Sequence, residues 1–375
     1  MIKNFDYLKD LQEIYPTLIK SISTVLKSGK LILGPEVEKF EKNFSKFLGV
    51  KYGVGVGNCT DAIYISLKAL NIGNGDEVIT PANTAIPTVT AIVNSGASPR
   101  FVDVGKDYLI DCNKIKLAIN KKTKAIIPVH LYGQTCNMNE IIKIAKKHKI
   151  KIIEDCAQST GSKYYNKKSG SFGDTGCFSF YPTKVLGAYG DGGFISTNNK
   201  KTYEKIKKIR YMGIELNKKS NNKYVNQYYA QIHGTNSRLD ELQAAILNLK
   251  LRRINKYIRV RQKNAKLYHS ILKNSELILP QEDKKNFNVF YEYVVRHKNR
   301  KDIMKKLSKE NISLKITYPY PIHKMTAYKN YYDKKNRLAN VEKYSKEIFS
   351  LPIYPGIQAF QIKKICKMIK NYLNK

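Results

Sequence analysis

The chain has 375 residues, 42% of them hydrophobic, which is enough apolar material for one large core with a smaller one beside it. Its formal charge of +37 would by itself suggest nucleic acid or an anionic membrane as partner, but the basic residues are 57 Lys and only 10 Arg. The Lys are spread along the whole chain beside abundant Asn, Ile and Tyr, with no Trp, as AT-rich coding would give.

Nucleic-acid readers favour Arg forks and clustered patches. A basic nucleic-acid-binding protein therefore stands only as the alternative from another class, and neither nucleic acid nor membrane is expected as a partner. The opening MIKNFDYLKD carries acidic residues and no apolar run, and no stretch approaches the roughly 18 apolar residues of a membrane span, so a cytoplasmic protein is expected. Six cysteines (Cys59, Cys112, Cys136, Cys156, Cys177, Cys366) form no CxxC pair, so no metal site and no disulfide frame is expected.

In chain order, residues 7–48 read as two amphipathic helices parted by Leu31-Ile32-Leu33-Gly34-Pro35, where Pro35 can open the second helix. The stretch Gly53-Val54-Gly55-Val56-Gly57-Asn58-Cys59-Thr60-Asp61-Ala62 then reads as a strand running through a small-residue turn into a helix from Ala62 to Leu70. Short apolar strands follow at Glu77–Thr80, Arg100–Val104, Ala125–Val129, Lys151–Glu154, Cys177–Phe180 and Gly193–Ser196, alternating with helical segments. That alternation predicts an α/β domain with a mainly parallel sheet. Asp240–Leu272 reads as one long helix, followed by a strand at Val289–Val295, a helix near 301–309, a strand at 312–317 and two terminal helices. The expected domains are 1–250, with the N-terminal helices and the large α/β unit, and 251–375, with a linking helix and a smaller α+β unit.

Three stretches carry chemistry. In Gly57-Asn58-Cys59-Thr60-Asp61 a strand turns into a helix, and such a turn presents free backbone N–H groups to a phosphate, with the Thr60 hydroxyl as a further donor. In Ile152-Ile153-Glu154-Asp155-Cys156-Ala157-Gln158 an apolar strand ends on a carboxylate, where open α/β sheets collect their ligands, and Asp155 can hold a cation or cap the following turn. In Ser179-Phe180-Tyr181-Pro182-Thr183-Lys184-Val185-Leu186-Gly187 a strand leads into a Lys set between Pro-Thr and a Gly-rich turn. A lysine that forms a Schiff base needs its neutral amine, which an enclosed site provides.

These segments, in this order, resemble the DegT/DnrJ/EryC1/StrS family of pyridoxal-phosphate nucleotide-sugar aminotransferases. The likeness also takes in Gly34-Pro35-Glu36-Val37, Thr80-Pro81-Ala82-Asn83-Thr84, Val129-His130-Leu131-Tyr132-Gly133, Gly190-Asp191-Gly192-Gly193, Gly234-Thr235-Asn236-Ser237-Arg238-Leu239-Asp240 and Pro319-Tyr320-Pro321-Ile322-His323. It implies a fold-type I transferase: a large domain with a central, mostly parallel mixed sheet flanked by helices, plus a smaller α+β C-terminal domain. It implies pyridoxal 5'-phosphate as cofactor, with Lys184 as its Schiff-base lysine and proton shuttle. Asp155 would pair with the pyridinium nitrogen and Gln158 with the phenolic oxygen. Ser179, Asn58, Cys59 and Thr60 would hold the phosphate, with Asn236 reaching it from a partner subunit, so a homodimer is implied. His323, Tyr181, Tyr189 and Pro321 are the candidate substrate residues.

Two positions depart from the family pattern. An aromatic residue that often follows the Asn-Thr pair is Ala85 here, and the residue after the lysine, often Asn, is Val185. The implied reaction takes an amino group from glutamate and places it on a ketone of a nucleotide-linked keto-6-deoxyhexose. A dTDP-linked 3-keto sugar is favoured over the alternative, C4 amination of a UDP- or dTDP-4-keto-6-deoxyhexose. A related branch of 3-dehydratases carries His in place of the lysine, and Lys184 argues against it.

Overall fold

The computed structural model describes residues 1–215, 229–281 and 283–373. Two helices come first, α1 (Leu8–Ser28) and α2 (Pro35–Leu48), each closed by a left-handed glycine, Gly29 at φ 67° and Gly49 at φ 78°. The central part follows as β1 (Tyr52–Val56), α3 (Cys59–Ala69), β2 (Glu77–Pro81), α4 (Ile86–Asn94), β3 (Ser98–Val102), α5 (Cys112–Ala118), β4 (Thr123–Ile126), α6 (Met138–His148) and β5 (Lys151–Asp155). A short hairpin of β6 (Lys163–Tyr164) and β7 (Lys167–Lys168) leads to β8 (Thr175–Ser179), β9 (Gly193–Thr197) and α7 (Lys200–Arg210). The remainder holds α8 (Glu241–Leu251), α9 (Ile254–Leu272), β10 (Asn286–Phe287), β11 (Tyr293–Arg296), α10 (Arg300–Lys309), α11 (Ala339–Glu347), β12 (Ile348–Leu351) and α12 (Ala359–Leu373).

Seven strands form the main sheet in the order β1-β9-β8-β5-β4-β2-β3. Only β9 runs against its neighbours, so the sheet is mixed but mostly parallel, as expected. Side chains of successive residues point to opposite faces, and both faces are covered. Ile79, Ile126 and Ile152 belong to one buried cluster, while Val78, Ala125 and Ile153 belong to the other. Two-sided burial explains why apolar residues stand side by side in these strands, as in Val78-Ile79 and Ile152-Ile153, rather than alternating with polar ones.

A separate apolar cluster gathers α9, α10 and α12 around the β11–β12 pair, with Tyr268, Tyr293, Phe349 and Ile365 fully or almost fully buried. Val294 and Ile348, also on this pair, cross into the cluster of the main sheet and join the two cores.

Three elements differ from the sequence reading. The long helix at 240–272 is two helices, broken by a tight turn in which Arg253 N–H bonds Lys250 O at 2.9 Å. The break lets Leu247 before it and Ile254 and Ile258 after it pack in one cluster against α2. The expected strand at 312–317 is extended chain that makes only single bridges, Ile2 to Ile312 and Lys315 to Ser350. The strand expected at Val289–Val295 starts only at Tyr293, because Phe290 sits at φ 48°, and its partner β12 was not foreseen.

Candidate active site

Strands β1, β5 and β8 end, and β9 begins, at the same edge of the sheet, because β9 alone is reversed. A cleft of about 420 Å³ opens there, and Asn58, Cys59, Thr60, Asp155, Gln158, Ser179 and Lys184 all line it. These residues lie up to 126 positions apart (184 minus 58), and the parallel connections alone bring them together.

Asp155 closes β5 and is 4% exposed. Its Oδ1 accepts the Ala157 N–H at 3.1 Å, and its Oδ2 accepts the Thr88 hydroxyl at 2.8 Å. Burial raises its pKa, and the Ala157 and Thr88 donors, with Lys184 and His130 further off, pull the other way. Because Thr88 donates its hydroxyl hydrogen to Asp155, its oxygen accepts from the Thr84 hydroxyl, 2.8 Å away and four residues earlier.

The strand beneath is pinned by Glu154. It accepts the N–H groups of Gly170, Phe172 and Gly173 at 2.8, 2.7 and 2.8 Å and pairs with His130 Nε2 at 3.0 Å. His130 Nδ1 accepts the Cys136 N–H at 3.1 Å, so the ring proton sits on Nε2 and is donated to Glu154. His130, Glu154 and Cys156 are the right residue types for a metal, yet the imidazole and carboxylate are already engaged in this network.

Lys184 rides the loop between β8 and β9. The loop turns back on itself through the bond from Lys184 N–H to Tyr181 O at 2.9 Å, and a Cβ at Gly187 would meet Pro182 O at 2.5 Å, so glycine is required there. The Lys184 ammonium lies 3.4 Å from the Tyr291 hydroxyl and 4.5 Å from the centre of its ring. Thr183 also reaches that hydroxyl, at 3.2 Å.

At the other end, the Asn58 side chain caps α3 by accepting the Asp61 N–H at 2.9 Å. This leaves the first two amides of the helix, Cys59 and Thr60, without an intrahelical acceptor. Ser237 holds the turn in place, accepting the Gly57 N–H at 2.9 Å and donating to Asp61 at 2.7 Å. Strand β9 passes so close that a Cβ on Gly193 would lie 2.4 Å from the Asn58 carbonyl carbon. Burial pushes the Cys59 thiol pKa well up, so it stays a neutral wall.

Gln158 Oε1 accepts the Tyr132 N–H at 2.8 Å, and its Nε2 donates to the Tyr318 hydroxyl at 2.6 Å. Tyr181 stands at the rim, 54% exposed. Asn236 is exposed and outside the cleft of its own chain. Tyr189 lies away from the cleft under the Lys250 ammonium, 4.7 Å from its ring centre. Pro321 and His323 are buried outside the lining, and His323 bonds Glu342 at 3.1 Å, with burial lowering its pKa. Ala85 lines the cleft as a small residue, while Val185 packs into the core with Phe180 and Leu186. The sequence reading did not single out Thr88, Tyr291, Lys315 and Tyr318. No local pattern marks them, because each enters the cleft through tertiary packing.

The cleft fits pyridoxal phosphate on its own terms. A buried carboxylate with no ion-pair partner among the described residues calls for a cation, the first two amides of α3 with Ser179 and Thr60 suit a phosphate, and an amine stands in the same enclosure. The sequence matches the model of the DegT/DnrJ/EryC1/StrS aminotransferase family over residues 12–370. It is 41% identical over 359 residues to dTDP-3-amino-3,4,6-trideoxy-alpha-D-glucose transaminase of Micromonospora megalomicea subsp. nigra, covering 94% of each chain. It is 40% identical over 370 residues to dTDP-3-amino-3,6-dideoxy-alpha-D-galactopyranose transaminase of Aneurinibacillus thermoaerophilus, covering 98% of this chain and 97% of that one. The fold superposes on a crystal structure of ntda from Bacillus subtilis with bound cofactor PMP at a TM-score of 0.89 and 31% identity, covering 97% of this chain and 82% of that one. The chain belongs to the DegT/DnrJ/EryC1/StrS aminotransferase family and is an aminotransferase that works with pyridoxal 5'-phosphate.

Proposed function

We propose that the protein transfers an amino group from glutamate to C3 of a dTDP-linked 3-keto-6-deoxyhexose, in the making of amino sugars for glycans or lipopolysaccharide. The observation that carries the chemistry is the single cleft holding Lys184, the buried Asp155 and the open amides of α3. The position on the sugar is supported by the two relatives, both named for 3-amino sugars.

Bound cofactor supplies an electron sink and the carbonyl that carries nitrogen from donor to acceptor. The residues divide the remaining work. The Asp155 carboxylate holds the ring nitrogen protonated, and the Thr88 and Ala157 donors favour its ionised form against the cost of its burial. The Cys59 and Thr60 amides, with Asn58, Ser179 and the helix dipole, hold the phosphate. Lys184 Nζ takes and returns the proton of the reacting carbon, with Tyr291 steering it. The segment around Lys315–Tyr318 walls the cleft and keeps water out.

A homodimer is part of this reading. Leu8, Tyr15, Ile19 and Leu26 of α1, spaced by 7, 4 and 7 residues, are 46–55% exposed along one helical stripe that Leu31 and Ile32 extend. Such a stripe supports burial against a second copy, and the exposed Asn236 supports its service to the partner's phosphate site. We also propose the division into 1–250 and 251–375. A cytoplasmic setting is supported by six free thiols. Among the described residues no helix is long and apolar enough to cross a membrane.

A coupled assay with glutamate across 3-keto and 4-keto sugar nucleotides tests the proposal, with wild type and Lys184→Ala run together. Turnover of a 3-keto substrate by the wild type alone is expected. Preference for a 4-keto substrate would overturn the C3 assignment, and turnover by Lys184→Ala would overturn the role of the lysine.

A further inference from the structure

Tyr318 combines features that packing alone does not require. Its backbone sits at φ 61°, in the left-handed region, although it is a bulky residue, and the next residue is Pro319, whose ring restricts its predecessor to extended conformations. Such outliers persist only where their surroundings over-determine them.

The surroundings do so here. Lys315 Nζ bonds Glu292 Oε1 at 2.8 Å, the Thr317 hydroxyl donates to Glu292 Oε2, and Ser350 donates to the same oxygen at 2.7 Å. Glu292 is 8% exposed. The segment is clamped against the C-terminal unit, and the strained residue points its side chain into the cleft.

The bond to Gln158 fixes the protons. Because Gln158 Oε1 takes the Tyr132 N–H, the amide NH₂ faces Tyr318, and the Tyr318 oxygen is the acceptor. Among the described residues the Tyr318 proton and the second Nε2 proton of Gln158 have no acceptor. Burial raises the Tyr318 pKa well above its ordinary value, so the hydroxyl keeps that proton. Two donors therefore stand side by side in the cleft that holds Asp155 and Lys184.

We propose that the Tyr318 O–H and the second Gln158 N–H form a paired donor for the ring-hydroxyl oxygen of pyridoxal phosphate, which makes Tyr318 a cofactor-contacting residue of the transamination. The inference rests on the site assignment above. Donors to that oxygen stabilise its anionic form, so a proton it shares with the Lys184 nitrogen is held less tightly.

The test titrates apoprotein with pyridoxal phosphate and follows affinity, together with the pH midpoint of the visible absorption, in wild type, Tyr318→Phe and Tyr320→Phe. Tyr320 is 71% exposed and serves as the control. Tyr318→Phe is expected to bind about tenfold more weakly and to shift the midpoint up by about one pH unit, as loss of a hydrogen bond to a charged oxygen requires. Tyr320→Phe is expected to match the wild type. Gln158→Met, which removes the other donor, is expected to shift the midpoint in the same direction and supports the pairing even if Tyr318→Phe misfolds.

An unchanged midpoint in Tyr318→Phe, with or without weaker binding, would overturn the inference while leaving the site assignment intact. A wild type with no Lys184-dependent absorption would overturn both.

Discussion

Thr88 donates its hydroxyl proton to Asp155 Oδ2 across 2.8 Å, tying the first turn of α4 to the end of β5. The bond favours the ionised carboxylate at a position where burial opposes it. Thr88→Val keeps the shape of the side chain and removes the donor. Loss of a hydrogen bond to a charged group costs about 2 kcal/mol, or roughly thirtyfold in kcat/KM. Thr88→Ser is expected to restore most of the activity, and steady-state kinetics of the two variants check this.

Asp155→Asn is expected to abolish transamination while stabilising the apoprotein by about 1–2 kcal/mol at neutral pH, because a buried charge with no ion-pair partner among the described residues is removed. The sign follows from the raised pKa. A carboxyl whose folded-state pKa lies above its unfolded value penalises folding once it ionises, and that penalty fades as pH falls through the folded-state value. The advantage of Asp155→Asn in thermal melts of apoprotein is therefore expected to shrink on acidification. A constant gap between pH 8 and pH 4 would contradict this account.

Glu154 faces four donors: His130 Nε2 and the N–H groups of Gly170, Phe172 and Gly173. Glutamine offers one acceptor oxygen to the same set, so Glu154→Gln is expected to destabilise the fold by about 3–5 kcal/mol in denaturant unfolding. Because the cluster of His130, Glu154 and Cys156 serves this network, prolonged dialysis against EDTA is expected to leave activity unchanged. Loss of activity restored by a divalent metal would reassign the cluster.

Ile19 is 46% exposed in the middle of the apolar stripe of α1. Ile19→Glu places a charge at the proposed contact between copies, and sedimentation is expected to show monomers where the wild type gives dimers. Weaker retention of pyridoxal phosphate should accompany it, since Asn236 would no longer serve a partner. A wild type that sediments as a monomer with full activity would remove the dimer from the proposal.

The sequence placed the alternating strands and helices well because each is a local pattern. Short apolar stretches such as Ile152-Ile153 in Lys151–Asp155 and Cys177-Phe178 in Thr175–Ser179 carry the same strand signal wherever they occur. It failed at 240–272, where apolar spacing runs through a break, and at 312–317, where extended residues pair with single partners rather than a ladder. It also failed at Val289–Val295, where no glycine announces the left-handed turn at Phe290.

What the sequence determined by itself is the set of groups carried on short strand-to-loop units: Asn58 to Thr60 after β1, Asp155 to Gln158 from the end of β5, and Ser179 to Lys184 from the end of β8. Each owes its position to a few neighbouring residues, so a motif suffices to mark it. The tertiary structure alone decided which distant residues complete the cleft. Tyr291 reaches Lys184 across 107 positions and Tyr318 reaches Gln158 across 160. These contacts arise where the C-terminal unit packs against the carboxyl edge of the sheet, and the relative placement of two packed units is set by the shapes of their joined cores, which no periodicity along the chain records.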